Sequence, residues 1–335
     1  MVIDIGRRQF ISALGGAVVA WPLAARAQQS AMPIVGVLNH NNTPEAFAPY
    51  LAAFRQGLVE QGYEEGRNVA IAIRYALGQA DRLPALADEL LGLNVAVIFA
   101  SGGFFPGNAA AEKKASATTP IVFVSGGDMV KGGLIAALNR PGGNLTGVLI
   151  LTNELDAKRL ELLDQIVPKQ VTIAFVVDGH DAAVTDAQAQ AAEAAARALG
   201  RQLTVARVAD EADLDAAFAA MAARHDGGVA VGASAYFNSR RQQIVQLAAR
   251  YELPAVYEFR EFVRDGGLMS YGTDLAAAYR LAGQYVARVL KGEKPADMPV
   301  QEATFFNLVI NLKLANTLGL TLPLSLLGRA DEVIE

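Results

Sequence analysis

Two short turns carry the residue types best suited to holding an anion, Ser101-Gly102-Gly103 and Ser125-Gly126-Gly127. Each follows a strand-like apolar run and precedes a stretch of helical length. Their backbone N–H groups therefore stand where a helix start favours negative charge, and glycine permits close approach. Both turns are read as seats for a carboxylate, although the same glycines would equally make a tight strand-to-helix turn. Phe104 and Phe105 come directly after the first turn, and Tyr236 and Phe237 follow a later run that ends at Ala233. Phe104 and Tyr236 are the rings expected to close on a planar group from two sides, against the alternative that rings beside glycine-rich turns simply pack. An amine would need an acid. Asp178 and Glu258 each stand just past a strand, and Asp128 stands beside the second turn; loop acids are otherwise commonly solvated. Asn39, His40 and Asn41, after the first strand, offer polar contacts, and Tyr271 stands near a later passage of the chain, where it could touch ligand or serve a hinge.

Catalytic patterns are thin by comparison. His40, His180 and His225 are the three histidines, and they show neither metal-ligand spacing nor an HExxH pattern. Gly232-Ala233-Ser234-Ala235-Tyr236 begins like a nucleophile elbow but lacks the closing glycine. Neither a P-loop nor a GxGxxG after the first strand occurs, so no nucleotide cofactor has a seat. The chain has no cysteine, which excludes disulfides, thiolate nucleophiles and a lipid-modified N-terminal cysteine. The expectation is a protein without metal, cofactor or catalysis.

The elements that must position these residues alternate regularly from Ile34 onward, short β-rich runs with amphipathic stretches of helical length, as βα repeats do. Strands are expected at Ile34–Leu38, Val69–Tyr75, Val95–Ala100 and Ile121–Val124, with helices at Pro44–Gln61, Leu83–Leu91 and Asn108–Ser116. Strands that are apolar on both faces belong in a sheet covered on both sides. Arg140-Pro141-Gly142-Gly143-Asn144 is a strong turn signal, and a first passage to a second series is placed near Gly147–Thr152. That series runs through strands at Val171–Val177, Gln202–Val208, Gly228–Ala233 and Ala255–Tyr257, with helices at Ala182–Leu199, Glu211–Arg224 and Asn238–Tyr251. Leu268–Tyr271 is expected to lead back to the first series, where Asp274 N-caps a helix reaching Leu290. Thr304–Ile310 and a helix at Leu312–Leu318 would return to the second. The fold class is thus α/β, two doubly wound parallel-sheet lobes joined by a multi-strand hinge. Residues 28–150 and 271–300 form the first lobe, 151–270 and 301–322 the second, and 323–335 a C-terminal tail. Ligands of such folds sit outside the carboxyl ends of the strands.

Bulk properties agree with a folded, exported protein. The 335 residues are 52% hydrophobic and 19% charged with a net charge of −5, and no Lys/Arg run is present to neutralise nucleic-acid phosphates. Arg7-Arg8 precedes an apolar stretch from Ile11 to Leu23, and Ala25-Arg26-Ala27 follows. That order reads as a twin-arginine signal peptide over residues 1–27 with cleavage near Ala27. The stretch is shorter than the roughly 20 residues of a spanning helix and holds Gly15-Gly16 and Trp21-Pro22, so no stable membrane insertion is expected after cleavage.

Several motifs, in order along nearly the whole chain, carry a resemblance. They are Gly62-Tyr63-Glu64-Glu65-Gly66-Arg67-Asn68-Val69, Pro141-Gly142-Gly143-Asn144-Leu145-Thr146-Gly147, Glu161-Leu162-Leu163, Gly266-Gly267-Leu268-Met269-Ser270-Tyr271-Gly272 and Leu308-Val309-Ile310-Asn311-Leu312-Lys313. With Lys291-Gly292-Glu293-Lys294-Pro295-Ala296-Asp297 and the ending from Arg329 to Glu335, the chain resembles the ABC-transporter substrate-binding proteins of the tryptophan/tyrosine type. The resemblance implies a type I periplasmic-binding-protein fold with three hinge crossings, no catalysis, and ligands such as tryptophan, phenylalanine or tyrosine. Two places depart from the family pattern. Ser101-Gly102-Gly103-Phe104-Phe105-Pro106 replaces a Gly-Thr-Pro-Ala-like turn, and Asp128-Met129-Val130 replaces Asp-Pro-Val, both at the expected cleft. The expected role is therefore a periplasmic, monomeric solute-binding component of an importer, capturing a small carboxylate for ABC permease subunits. Alternatives are an exported sensor-input binding protein and an exported α/β hydrolase using Ser234 or Ser101.

Overall fold

Strands that bury both faces organise the molecule. The computed structural model describes residues 32–40, 43–101, 119–150 and 152–335. The expected signal peptide, Gly102, Gly103, Phe104 and the helix expected over Asn108–Ser116 lie outside the described residues. Strands β1 (Ile34–Asn39), β2 (Ala70–Tyr75), β3 (Val97–Ser101), β4 (Ile121–Ser125), β5 (Leu145–Leu149) and β11 (Gln301–Glu302) form a sheet in the order β11-β5-β4-β3-β1-β2. Every pairing in it is parallel. The residues of β3 and β4 are all buried, and alternate side chains feed two separate apolar clusters. Val97, Phe99, Val122 and Val124 enter one, while Ile98, Ala100, Ile121 and Phe123 enter the other.

A second sheet holds β6 (Ile173–Asp178), β7 (Leu203–Val208), β8 (Val229–Val231), β9 (Ala255–Tyr257), β10 (Met269–Thr273), β12 (Phe306–Asn311) and β13 (Glu332–Ile334), in the order β13-β12-β10-β9-β8-β6-β7. Its pairings are parallel except for β10 with β12. The chain passes between sheets after Leu149, after Thr273 and after Glu302. Leu268–Tyr271, expected to return to the first sheet, instead pairs with β9 and β12 in the second, because the β10 backbone is used on both edges. Gln301–Glu302 extends the edge of the first sheet by pairing with β5. The last residues, set apart as a tail, carry a short helix and the edge strand β13. The Leu308 N–H donates to the Asp331 carboxylate, and the Asp331 N–H donates to the Leu308 carbonyl, which docks that strand.

Helices α1 (Pro44–Glu60), α2 (Leu83–Gly92), α3 (Asp156–Asp164), α4 (Ala182–Ala198), α5 (Glu211–Arg224), α6 (Ala235–Ser239), α7 (Arg241–Arg250), α8 (Arg260–Arg264) and α9 (Leu275–Leu290) connect or cover the strands. Thr43 caps α1 with its hydroxyl accepting the Ala46 N–H at 3.3 Å, and Pro44 starts the helix where no N–H is missed. Asp274 caps α9 at the Ala277 N–H, as its position in the sequence predicts. Although α9 follows a strand of the second sheet, it packs with α1 on the first. A Cβ at Gly57 would stand 1.9 Å from the Arg280 carbonyl oxygen, and one at Gly283 2.2 Å from that of Phe54. Two glycines thus let these helices touch backbone to backbone, above a core in which Phe54 and Phe99 stack at 4.4 Å. The single helix expected over Asn238–Tyr251 is two helices. The Ser234 hydroxyl accepts the Phe237 N–H and starts α6 early, and Arg240 breaks from helical geometry before α7.

Candidate functional site

A cleft of about 510 Å³ opens at the carboxyl ends of the strands, within the usual size of small-molecule sites. One wall comes from elements around the first sheet: Tyr50 of α1, the Ser125-Gly126 turn after β4, and Tyr279 of α9. The other comes from the second: the polar run Asn238 to Gln243 at the α6–α7 junction, then Glu258, Phe259 and Glu261 between β9 and α8. Ile150 and Thr152, in the first passage between sheets, floor it.

The turn residues Ser125 and Gly126 line this cleft as the sequence predicts. The Ser125 hydroxyl accepts the Gly127 N–H at 3.1 Å, which tightens the turn. A Cβ at Gly126 would come within 2.7 Å of the Thr152 methyl, so glycine here is also needed to pass the crossing segment. Asn39 and Ser101 are fully buried at the tips of β1 and β3, where the Asn39 amide donates to the Ser101 hydroxyl at 3.1 Å. They support the cleft from behind, since Tyr279 hydrogen-bonds with Ser101 while burial pushes its own hydroxyl up to about 12. His40 is half-buried beside them; burial holds its imidazole below the ordinary value, the Gly78 backbone partly opposing the shift.

Four predicted residues have partners elsewhere and do not line the cleft. Asp128 is exposed and closes its own turn, accepting the N–H groups of Val130 at 3.1 Å and Lys131 at 2.9 Å. Asp178 accepts the Ser234 hydroxyl at 2.5 Å through one oxygen; the other accepts the His180 N–H at 3.0 Å and lies 2.6 Å from His180 Nδ1. Tyr236 packs against His180, ring centroids 5.0 Å apart, with the Arg240 guanidinium over its face. Tyr271 stacks on Phe306 at 6.2 Å within the second sheet's core, and its carbonyl accepts from Arg159 at 3.0 Å. Ser234, the hydroxyl of the elbow-like motif, is spent on Asp178 and on the cap of α6, so a carboxylate stands where an imidazole base would be required.

Of the three predicted acids, Glu258 is the one that lines the cleft. It is 4% exposed, and burial pushes its carboxyl up to about 8, the nearby Asp156 and Glu261 adding to the shift while Arg159 and the Asn238 amide oppose it. Asn238 Nδ2 donates to it at 3.4 Å. Across the cleft, Tyr50 stacks on Tyr279 at 5.1 Å and its hydroxyl meets the Glu261 carboxylate; burial and that carboxylate raise its pKa. Tyr50, Tyr279, Phe259 and the Asn238–Gln243 run were missed in sequence. The tyrosines and Phe259 sit on apolar helix faces or beside strands and read as core, whereas the run of six polar residues at the α6–α7 junction was a usable signal. Arg240 pairs with Glu211 at 2.9 Å and Arg241 with Asp265 at 2.6 Å, so both cations of the run are neutralised.

The arrangement suits capture of a small molecule with one anionic and one cationic end. Backbone N–H and hydroxyl groups stand on one side, a buried carboxyl on the other, and aromatic faces between. Among the described residues no group of three or more His, Asp or Glu side chains is placed to hold a metal ion, and no helix is long and apolar enough to cross a membrane.

A family model described as ABC transporter substrate binding protein matches residues 19–334. A tyrosine-binding protein of Clostridioides difficile is 22% identical over 258 residues, covering 77% of this chain and 73% of that protein. A conserved domain protein from Vibrio cholerae has a TM-score of 0.75 at 27% identity, over 90% of this chain and 99% of the other. The ABC domain of Streptococcus pneumoniae in complex with L-Trp has a TM-score of 0.77 at 24% identity, with the same coverage. These structures share the two-sheet α/β architecture of type I periplasmic binding proteins.

Proposed function

Since the chain belongs to the family of ABC transporter substrate-binding proteins, we propose that it is the periplasmic receptor of an importer, and that its cleft captures a small carboxylate, with aromatic amino acids as the leading class. The observation that carries this reading is the pairing of the Ser125-Gly126 turn with Glu258 across a cleft walled by Tyr50, Tyr279 and Phe259. A carboxylate seated at the turn would accept N–H groups that need no side-chain charge, and an amine would meet the acid. Relatives named for tyrosine and solved with L-Trp support the ligand class. The twin-arginine-like start at Arg7-Arg8 supports export, and permease subunits of an ABC importer are the partners that follow from the family. The protein then works by binding alone, the two halves closing on ligand through contacts made only when closed.

The test is a thermal-shift screen of the mature protein, stripped of retained ligand, against the proteinogenic amino acids and aromatic carboxylates. A rise in Tm that grows with concentration is expected for tryptophan, tyrosine or phenylalanine. A flat response to the whole panel contradicts the reading.

A further inference from the structure

We infer that Glu258 selects ligands carrying a protonated amine and gives up its own proton when such a ligand enters, which links capture to pH; this rests on the cleft being the ligand site. The geometry behind it is a buried acid lining a cavity whose cations, among the described residues, are already paired. Ala255, Val256 and Tyr257 of β9 are all buried, so the strand delivers the next residue into the interior. β10 closes over its backbone, since a Cβ at Gly272 would lie 2.0 Å from the Glu258 carbonyl oxygen. A carboxyl in that position is largely shielded from the solvent that would stabilise its charge.

The charged neighbours are already committed. From α3, Arg159 is fully buried and spends its guanidinium on Asp156 Oδ1 at 2.5 Å, the Thr152 carbonyl at 2.8 Å and the Tyr271 carbonyl at 3.0 Å. Asp156 beside it and Glu261 of α8 both disfavour a second negative charge. From α6 only the neutral Asn238 amide reaches Glu258, at the long distance of 3.4 Å. At the α6–α7 junction, Arg240 and Arg241 are paired with Glu211 and Asp265. Tyr50 and Tyr279, facing from α1 and α9, are held neutral by burial. Among the described residues Arg159 alone offsets that ionisation, and only in part, so an incoming ammonium supplies the charge that completes it.

The step balances simply. The Glu258 O–H bond breaks, its proton passes to the buffer and the electron pair stays on the carboxylate; the ligand's ammonium keeps all its protons and forms the ion pair. Below about pH 8 one proton should leave per ligand bound, and affinity should rise by close to tenfold per pH unit, flattening above. A ligand lacking the amine should show no such release.

Calorimetry in two buffers of different ionisation enthalpy, from about pH 6 to about pH 9, would measure this on the mature protein with L-tryptophan, L-tyrosine, L-phenylalanine and, as the amine-free probe, indole-3-propionate. Release of about one proton with an amino acid near neutral pH, none with indole-3-propionate, and loss of both release and pH slope in Glu258→Gln is the expected result. An amino acid that binds without proton exchange, or a slope that persists in Glu258→Gln, overturns the inference while leaving the binding function intact. Absence of heat with all four probes removes the cleft reading and the inference together.

Discussion

Asp178 and Glu258 invite comparison because each stands at the tip of a second-sheet strand, β6 and β9, and each could meet an amine by sequence position alone. Their surroundings differ. Asp178 accepts a serine hydroxyl and a backbone N–H and lies against an imidazole, so its oxygens are satisfied within its own half. Glu258 is deeper, lines the cleft and, among the described residues, receives a single long contact from an amide. A strand tip places an acid near a ligand cleft, but the remaining hydrogen-bond capacity of the acid decides whether it can serve a ligand.

The largest effect that would sharpen this contrast is on affinity. Glu258→Gln should weaken binding of an aromatic amino acid by about a hundredfold, near 3 kcal/mol, because one partner of a buried charge pair is lost. Asp178→Asn should change it by less than about threefold. Calorimetry on both variants measures the difference, and equal losses would break the comparison.

The next effect is on pH-dependent stability without ligand. The folded-state pKa of Glu258 is raised above its unfolded value, so the stability it allows is fully present below about pH 4.5 and is lost as pH rises through about 8. Relative to Glu258→Gln, the unliganded native protein should lose on the order of 5 kcal/mol over that window, several degrees in Tm. Parallel Tm–pH curves for the two proteins would contradict the burial argument.

The smallest effect belongs to the other acid. Ser234→Ala removes both the cap of α6 and the hydroxyl held by Asp178, and should cost about 1 kcal/mol in denaturant melts while leaving ligand affinity within about threefold. A large loss of affinity with unchanged stability would place Asp178 and Ser234 in the ligand site after all.

Much of the fold is legible in the sequence because its signals are local. The continuous apolar runs of β3 and β4 announce a sheet covered on both faces, and Asp274 announces the start of α9. The sequence does not reveal that α9 belongs on the first sheet, which depends on Gly57 meeting Gly283 across a separation no local window spans. Nor does it reveal β11, whose two residues are exposed and gain their strand character only by pairing with β5.

The site divides the same way. That Ser125, Gly126 and Glu258 line the cleft was legible because strand tips are where such folds present polar groups. Tyr50 and Tyr279 were not, since a tyrosine inside a helix reads as core until the tertiary packing turns one edge toward a cavity. Asp128 and Tyr271 were placed by the right rule, yet local geometry uses the first in its own turn and packing against Phe306 uses the second.

The measurement that bears most directly on the capture site is a crystal structure of the mature protein grown with L-tryptophan. The ligand carboxylate should lie against the Ser125-Gly126-Gly127 turn, its ammonium within hydrogen-bond distance of Glu258, and its ring between Tyr50, Tyr279 and Phe259. Ligand density seated instead at Asp178 and Tyr236, or a cleft that stays closed to tryptophan at saturating concentration, would contradict the account.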